Sequence, residues 1–274
     1  MADVKDMAIL YDTSKCTACK GCQVACKQWN QLPSPLKDSA YEFSGSYENP
    51  SELGPATWLR MTFNEVEPDD GGVQWNFGRQ GCLHCTDATC ETVCPVGAIR
   101  RASTGALALD REKCIGCRYC VNSCPAGVPH WDAVANKTSK CRMCEDRVVN
   151  GLQPACVSTC PTGALSFGRR DEMVSAARER LTGLHGGGHT KAEVFGIDEL
   201  GGTHVLTVAH RGAEAHGLTP GMQAPSAVSL WQLLKPLAAI GTAAVAGVFG
   251  LSFLTGIGYR RDELTLEDRE KEVG

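Results

Sequence analysis

Apolar and polar residues alternate in two stretches of the chain. In TWLRMTFNEV, Leu59, Met61 and Phe63 share one face, and in VQWNF, Val73, Trp75 and Phe77 do the same. A period of two residues predicts strands, and EPDDGG between them supplies the turn of a hairpin. Further along, DEMVSAARERL repeats Met173, Ala177 and Leu181 at helical spacing, and HGGGH then reads as a flexible turn. The stretch LPSPLKDSAYEFSGSYENPSELGP is rich in Pro, Ser and Gly and reads as surface loop.

The strongest hydrophobic signal lies near the C-terminus. Leu237 to Gly258 carry no charge over 22 residues, with Trp231 and Pro236 before them and Tyr259, Arg260 and Arg261 after. As a helix the run extends about 33 Å at 1.5 Å per residue, against roughly 30 Å of hydrocarbon. Its Gly- and Ala-rich composition and aromatic and arginine flanks predict a transmembrane span rather than a buried core helix. Ala239, Ala243 and Gly247 stand four apart, as do Ala246 and Gly250, which permits close approach by a partner helix. Lys235 precedes the span, whereas Arg260, Arg261, Arg269 and Lys271 follow it. The positive-inside rule then places the C-terminus in the cytoplasm and the preceding domain on the periplasmic side. The N-terminal MADVKDMAILYDTSKC has no apolar leader and no twin arginine, so export would need a partner carrying the signal.

Length and composition add little: 274 residues, 43% hydrophobic, suit one large domain or two small ones. A net charge of -4 without a long basic run gives no electrostatic footprint for nucleic acid. Cysteine changes the picture, because all sixteen fall in four groups of four. They are Cys16-x2-Cys19-x2-Cys22-x3-Cys26, Cys82-x2-Cys85-x4-Cys90-x3-Cys94, Cys114-x2-Cys117-x2-Cys120-x3-Cys124 and Cys141-x2-Cys144-x11-Cys156-x3-Cys160, with proline after the last cysteine in three of the four.

A disulfide framework suits the even count, but cysteines at i, i+3 and i+6 point at one centre, while disulfides normally join distant segments. Structural zinc suits the fourth group alone, since two C-x2-C-type pairs can clasp one ion. The first and third groups instead carry the bacterial ferredoxin spacing, in which three thiolates hold one cubane and the fourth reaches its neighbour. Sixteen thiolates make four [4Fe-4S] clusters with none left over.

The groups also repeat. YDTSKCTACKGCQVAC matches LDREKCIGCRYCVNSC, and CETVCPVGAI matches CVSTCPTGAL. The chain reads as α+β, two nested ferredoxin-like units, each with two [4Fe-4S] clusters, plus a single C-terminal transmembrane helix. Residues 1–32 and 130–170 form the outer unit, 33–80 a loop and hairpin insertion, 81–129 the inner unit, 171–235 a C-terminal extension, 236–259 the span and 260–274 a cytoplasmic tail. The ferredoxin exchange rule joins Cys16, Cys19 and Cys22 with Cys160, and Cys141, Cys144 and Cys156 with Cys26. It likewise joins Cys82, Cys85 and Cys90 with Cys124, and Cys114, Cys117 and Cys120 with Cys94.

Lys15, Lys20, Lys27, Lys113, Arg118, Lys140 and Arg142 flank these ligands and either offset cluster charge or are solvated surface charges. Trp29, Trp58 and Trp75 read as packing around the clusters, and His84 and His130 as packed or hydrogen-bonded, since every ligand position already holds a cysteine. His185 and His189 read as polar loop residues. No nucleophile and base pair, phosphate loop or pterin site stands out, so the chemistry is one-electron transfer without an active site of its own.

The four cysteine groups in this order, with CKGCQVACKQWN, GGTHVL at 201–206, and HGL, LW and KPL before a single span, resemble the iron-sulfur beta subunit of membrane-bound respiratory formate dehydrogenase. The resemblance covers essentially the whole chain. It implies a molybdenum or tungsten bis-pterin alpha subunit that oxidises formate and carries the export signal, and a membrane cytochrome b gamma subunit that passes electrons to quinone. This chain would be the relay between them. A similar subunit serves membrane-bound nickel-iron hydrogenase, though with its own twin-arginine signal, and a nitrate reductase-like subunit often has a Trp in the fourth group, where this chain has only cysteines.

Overall fold

The computed structural model describes residues 5–34, 47–68 and 71–263. Part of the expected 32–55 loop, Asp69 and Asp70 of the hairpin turn and most of the expected tail lie outside the described residues. Two compact units are present, Met1–Pro225 and Ser226–Gly274.

In chain order the first unit contains β1 (Met7–Asp12), α1 (Gly21–Trp29), β2 (Leu59–Val66), β3 (Gln74–Gly81), α2 (Thr89–Thr92), β4 (Ile99–Arg101), β5 (Leu107–Leu109) and α3 (Tyr119–Ser123). There follow β6 (His130–Asp132), β7 (Lys137–Ser139), α4 (Glu145–Val148), α5 (Ala155–Ser158), β8 (Leu165–Arg169), α6 (Arg170–Gly186), β9 (Glu193–Phe195) and β10 (Val205–Ala209). Most helices are a single turn, because each cysteine group must bend its backbone around a centre rather than propagate a hydrogen-bonded ladder.

A four-stranded sheet in the order β8-β1-β10-β9 backs the cysteine-bearing half. β1 runs parallel to β10, with Ile9 opposite Val205, and antiparallel to β8. Side chains alternate across a strand, so β1 serves two cores at once. Leu10 packs with Leu206 and Val208 of β10 and with Ala177 and Leu184 of α6. Ile9 and Tyr11 point the other way, into a core with Met61, Cys26, Cys156 and Val205. α6 follows the helical spacing read from the sequence, with Ala177 fully buried and Met173 and Leu181 against the same core. The expected flexible HGGGH turn begins later than the spacing implied, since α6 continues through His185 and Gly186 and is capped at Gly187.

β2 and β3 form the expected hairpin, pairing Phe63 with Phe77 and Met61 with Arg79. Val73 falls just before the second strand and is exposed, whereas Phe63, Trp75 and Phe77 stack edge to face. Residues 81–129 have a local core of their own, built from Ala88, Ala98, Ile99, Leu107 and Leu109 around Cys90 and Cys120. Within that segment α2 packs on α3, and elsewhere α1 packs on α5. β4 pairs with β5 and β6 with β7.

Motif GGTHVL ties the C-terminal extension to the second cysteine group. Amides of Thr86, Asp87 and His204 donate to the carbonyls of Gly202, Leu200 and Leu83, and the His204 ring lies 2.8 Å from the carbonyl oxygen of His84. Gly201 and Gly202 have positive φ and back onto the Asp87 carboxylate and the Arg170 guanidinium, where a side chain would collide.

The second unit is α7 (Ser226–Glu263), which contains Pro236. Its stretch Ser226–Gly256 is long and apolar enough to cross a membrane, with Ile240, Val248, Phe249 and Phe253 exposed.

Two glycines test the packing with opposite signs. A Cβ at Gly78 would overlap the His216 carbonyl oxygen and the Thr62 hydroxyl, whereas one at Gly183 in α6 meets nothing. Gly78→Ala is expected to destabilise the chain by about 1–3 kcal/mol, and Gly183→Ala to stabilise it by about 0.5–1 kcal/mol. Thermal unfolding of the two variants checks the pair, and equal melting temperatures would contradict the packing.

Candidate metal centres

Each C-x2-C turn uses the same backbone device. The second residue after the first cysteine is left-handed in all four groups: Ala18 at φ 51°, His84 at 51°, Gly116 at 72° and Met143 at 55°. Only one of these is glycine, so the local strain of the other three is repaid by what the turn achieves. It aims amides at sulfur: Ala18 N lies 3.4 Å from Cys16 Sγ, and Met143 N 3.3 Å from Cys141 Sγ. Thr138 N, from β7, approaches Cys114 Sγ at 3.4 Å. The Cys-Pro-x-Gly turns do similar work at the last cysteines, with Gly97, Gly127 and Gly163 left-handed and the Ala98 amide 3.2 Å from Cys94 Sγ. Such donors stabilise negative charge on sulfur and are what a thiolate cluster requires.

All sixteen cysteines are free thiols. Cys16, Cys19, Cys22 and Cys160 line one small cavity together with Tyr11, Met61 and Arg79. Burial pushes Cys26 up, and the thiolates that add to this are Cys141, Cys156 and Cys144. For Cys85 burial is again first, followed by Cys82, Cys124 and Cys90. Cys120 is raised by burial despite a hydrogen bond to Thr138, with Cys114, Cys117 and Cys94 as its charged neighbours. Cys114 alone moves down: burial opposes ionisation there, but amide donors from Thr138 and Gly116 outweigh it.

Three electrostatic influences run between these sets. Cys22, pushed up to about 12 chiefly by burial, also senses Cys156. Cys141, raised by burial, has Cys82 as its strongest thiolate neighbour. Cys90, up to about 12 by burial, senses Cys120. Among the described residues no three His, Cys, Asp or Glu side chains close around a point at single-ion distance. A lone zinc would need its thiolates roughly 3.8 Å apart around bonds of about 2.3 Å, whereas a four-iron cubane is larger and holds them further apart.

The flanking cations divide. Lys15 and Lys113 pair with Asp12 and Asp110 at 3.9 and 3.7 Å, Lys27 donates to the Pro33 and Ala56 carbonyls, and Lys20 to that of Tyr47. Arg118 stacks on Trp131 with its guanidinium carbon 3.4 Å from the ring centroid, and Arg142 lies over Trp58. Lys140 alone is buried, at 1% exposure, donating to the carbonyls of Leu107 and Cys141 while offsetting part of the rise that burial causes in the Cys90 pKa.

Arg79 was not among the expected cations. It stands directly opposite Met61 in the hairpin, its Nη2 4.0 Å from Cys156 Sγ. Burial alone would lower its pKa, yet Cys156, Cys22 and Cys141 hold it above its ordinary value. The signal was present in the sequence: the apolar alternation of Trp75 and Phe77 continues onto Arg79, placing a cation on the inward face of a strand.

Trp58 packs in the cluster-side core and donates to Ser139 Oγ at 2.6 Å. Trp29 is a correction: it is 43% exposed, stacks with Arg147 and donates to Asp146, a surface role. Trp75 belongs to the hairpin's aromatic stack. His84 is fully buried and accepts from the Leu107 amide at 2.9 Å, and His130 Nδ1 meets the Val128 carbonyl. His185 meets the Ala192 carbonyl, while His189 stacks on His210, whose pKa is down to about 4, first through burial and then through His216.

A family described as a 4Fe-4S dicluster domain matches residues 73–170, and a second of the same description matches residues 15–98. The chain is 40% identical over 263 residues to the nitrate-inducible formate dehydrogenase iron-sulfur subunit of Escherichia coli K12, covering 94% of this chain and 87% of that one. The formate dehydrogenase-O iron-sulfur subunit of the same organism is 39% identical over 264 residues, covering 94% and 85%. Formate dehydrogenase 2 subunit beta (cytochrome c-553) of Nitratidesulfovibrio vulgaris is 40% identical over 182 residues, covering 64% of this chain and 81% of that one.

Raised thiol pKa values set a sign for the metal-free chain. Cys22 and Cys90 move from 9.0 to about 12, so the folded state binds their protons more tightly than the unfolded state. Stability from this source is complete below pH about 9 and is lost as pH rises towards about 12. Stripped of iron, the chain is expected to melt at progressively lower temperature across that window, more steeply than the iron-loaded form. A flat profile for the stripped chain would contradict the burial of these thiols.

Proposed function

The chain belongs to the iron-sulfur subunits of formate dehydrogenases, and from that membership we propose that it carries four [4Fe-4S] clusters in a row as the electron relay of such a complex. The clusters supply one-electron transfer; the chain holds their ligands, donates hydrogen bonds to sulfur and excludes water. The observation that carries this reading is the grouping of the thiols. Each expected set of four contains thiols that sense one another, and three electrostatic influences weaker than burial, those of Cys156 on Cys22, Cys82 on Cys141 and Cys120 on Cys90, support an end-to-end order of the sets.

The row then begins at Cys16, Cys19, Cys22 and Cys160. It continues through Cys26, Cys141, Cys144 and Cys156 to Cys82, Cys85, Cys90 and Cys124, and ends at Cys94, Cys114, Cys117 and Cys120. The two outer sets draw on residues flanking the inner segment, which supports a nested arrangement with 81–129 inside 1–32 and 130–170. The packing of α1 on α5 and of α2 on α3 fits that division.

The partners that follow are a molybdopterin alpha subunit, which oxidises formate, and a membrane cytochrome b gamma subunit, which takes the electrons to quinone. α7 would cross the bilayer and dock on the gamma subunit, with the cluster-bearing unit periplasmic and the C-terminus cytoplasmic; its apolar stretch and the arginines after it support this reading. This chain binds neither formate nor quinone in this scheme.

Metal analysis of the complex with and without Cys160→Ala tests the relay. The native chain is expected to contribute roughly sixteen irons, four per cubane. The variant is expected to lose or convert the cluster of Cys16, Cys19 and Cys22 and to slow electron flow from formate to quinone at least tenfold. Zinc in place of iron, or an unaltered cluster spectrum with full quinone reduction, would sink the reading.

A further inference from the structure

A guanidinium stays charged at any physiological pH, and burying it without an anion is among the costliest arrangements in a protein. Arg79 approaches that position: the residue is half-buried. It lines the cavity formed by Cys16, Cys19, Cys22 and Cys160, and its Nη2 lies 4.0 Å from Cys156 Sγ, a member of the next set. Its Nε is buried with no hydrogen-bond partner. Among the described residues no carboxylate lies within ion-pair distance of it. The anions that remain to offset its charge are the cysteine thiolates on its two sides.

The hairpin holds it there. Arg79 is paired with Met61 in register, and Met61 Sδ lies 3.5 Å from Cys22 Sγ, so one cross-strand pair presents a thioether and a cation to the same ligands. One residue away, Gly78 is pressed against the His216 carbonyl and Thr62, which locks this end of β3 in place.

We propose that Arg79 is the shared counter-cation of the first two clusters of the row, holding both at a higher reduction potential than their four thiolates alone would set. This rests on the cysteine grouping proposed above. An electron added to a thiolate-ligated cluster increases its negative charge, and a fixed cation on either flank favours the reduced state. One residue acting on both clusters moves the two potentials together, so the step between them stays small as their absolute values rise. Arg79 is a positioning residue in this role and makes no contact with formate or quinone.

The test is a redox titration of the intact complex followed by electron paramagnetic resonance, in native, Arg79→Gln and Arg79→Lys forms matched for iron content. Cys160→Ala and Cys144→Ala identify the signals of the two clusters. Arg79→Gln is expected to lower both midpoints by an amount equivalent to at least a tenfold weaker electron affinity, about 59 mV for one electron, leaving the other two unmoved. Arg79→Lys keeps the charge but cannot reach Cys156 as the guanidinium does, and is expected to lower the same two by less. If Arg79→Gln does not assemble, the lysine variant carries the test. Four unchanged midpoints in the variants that assemble, or a shift in the clusters of Cys90 and Cys120 instead, overturn the role of Arg79 while leaving the grouping intact. A native chain with far fewer than sixteen irons overturns the grouping itself.

Discussion

Sulfur that must carry negative charge, much of it partly or wholly withdrawn from water, is the constraint on which this structure depends. Burial raises the pKa of most of the cysteines that line the interior, so the fold opposes the ionisation that its ligands need. Iron can supply the compensating charge only if the surroundings also favour the thiolate. The chain meets that demand with amides from left-handed turns and with two cations, the half-buried Arg79 between the first and fourth cysteine groups and the buried Lys140 beside the second and fourth. The lysines that sequence places next to cysteines mostly point to carboxylates or surface carbonyls instead.

Much of the remaining architecture serves to hold these donors still. The sheet is a wall with α6 behind and the cysteine-bearing core in front, and β1 contributes to both because its side chains alternate. The hairpin inserted between the first two groups carries Met61 and Arg79 into the same core. The extension after the last cysteine supplies β9 and β10 and, through Leu200 to His204, the hydrogen bonds that hold the Leu83–Asp87 loop.

The cysteine groups, the hairpin, α6 and the apolar terminal helix were all legible in the sequence, because each is a short-range pattern with its own period or spacing. What was not legible depends on contacts between distant segments. Lys140 was visible as a neighbour of Cys141, but its burial follows from the Leu107 carbonyl on another hairpin. Trp29 looked like a residue for the interior and lies outside, because α1 turns that face towards Arg147 and Asp146. GGTHVL was recognisable as a motif without a reason; the reason is the collision that any side chain at Gly201 or Gly202 would make.

The parallel pairing of β1 with β10 has a consequence for how the protein is made. Ile9 lies opposite Val205, so the strand that leads into the first cysteines has no partner on that edge until most of the chain has left the ribosome. β8, on the other edge, also follows the last cysteine. The cysteines synthesised first are therefore among the last to be held in place. The geometry of the Cys16 loop belongs to a polypeptide that already includes β8 and β10.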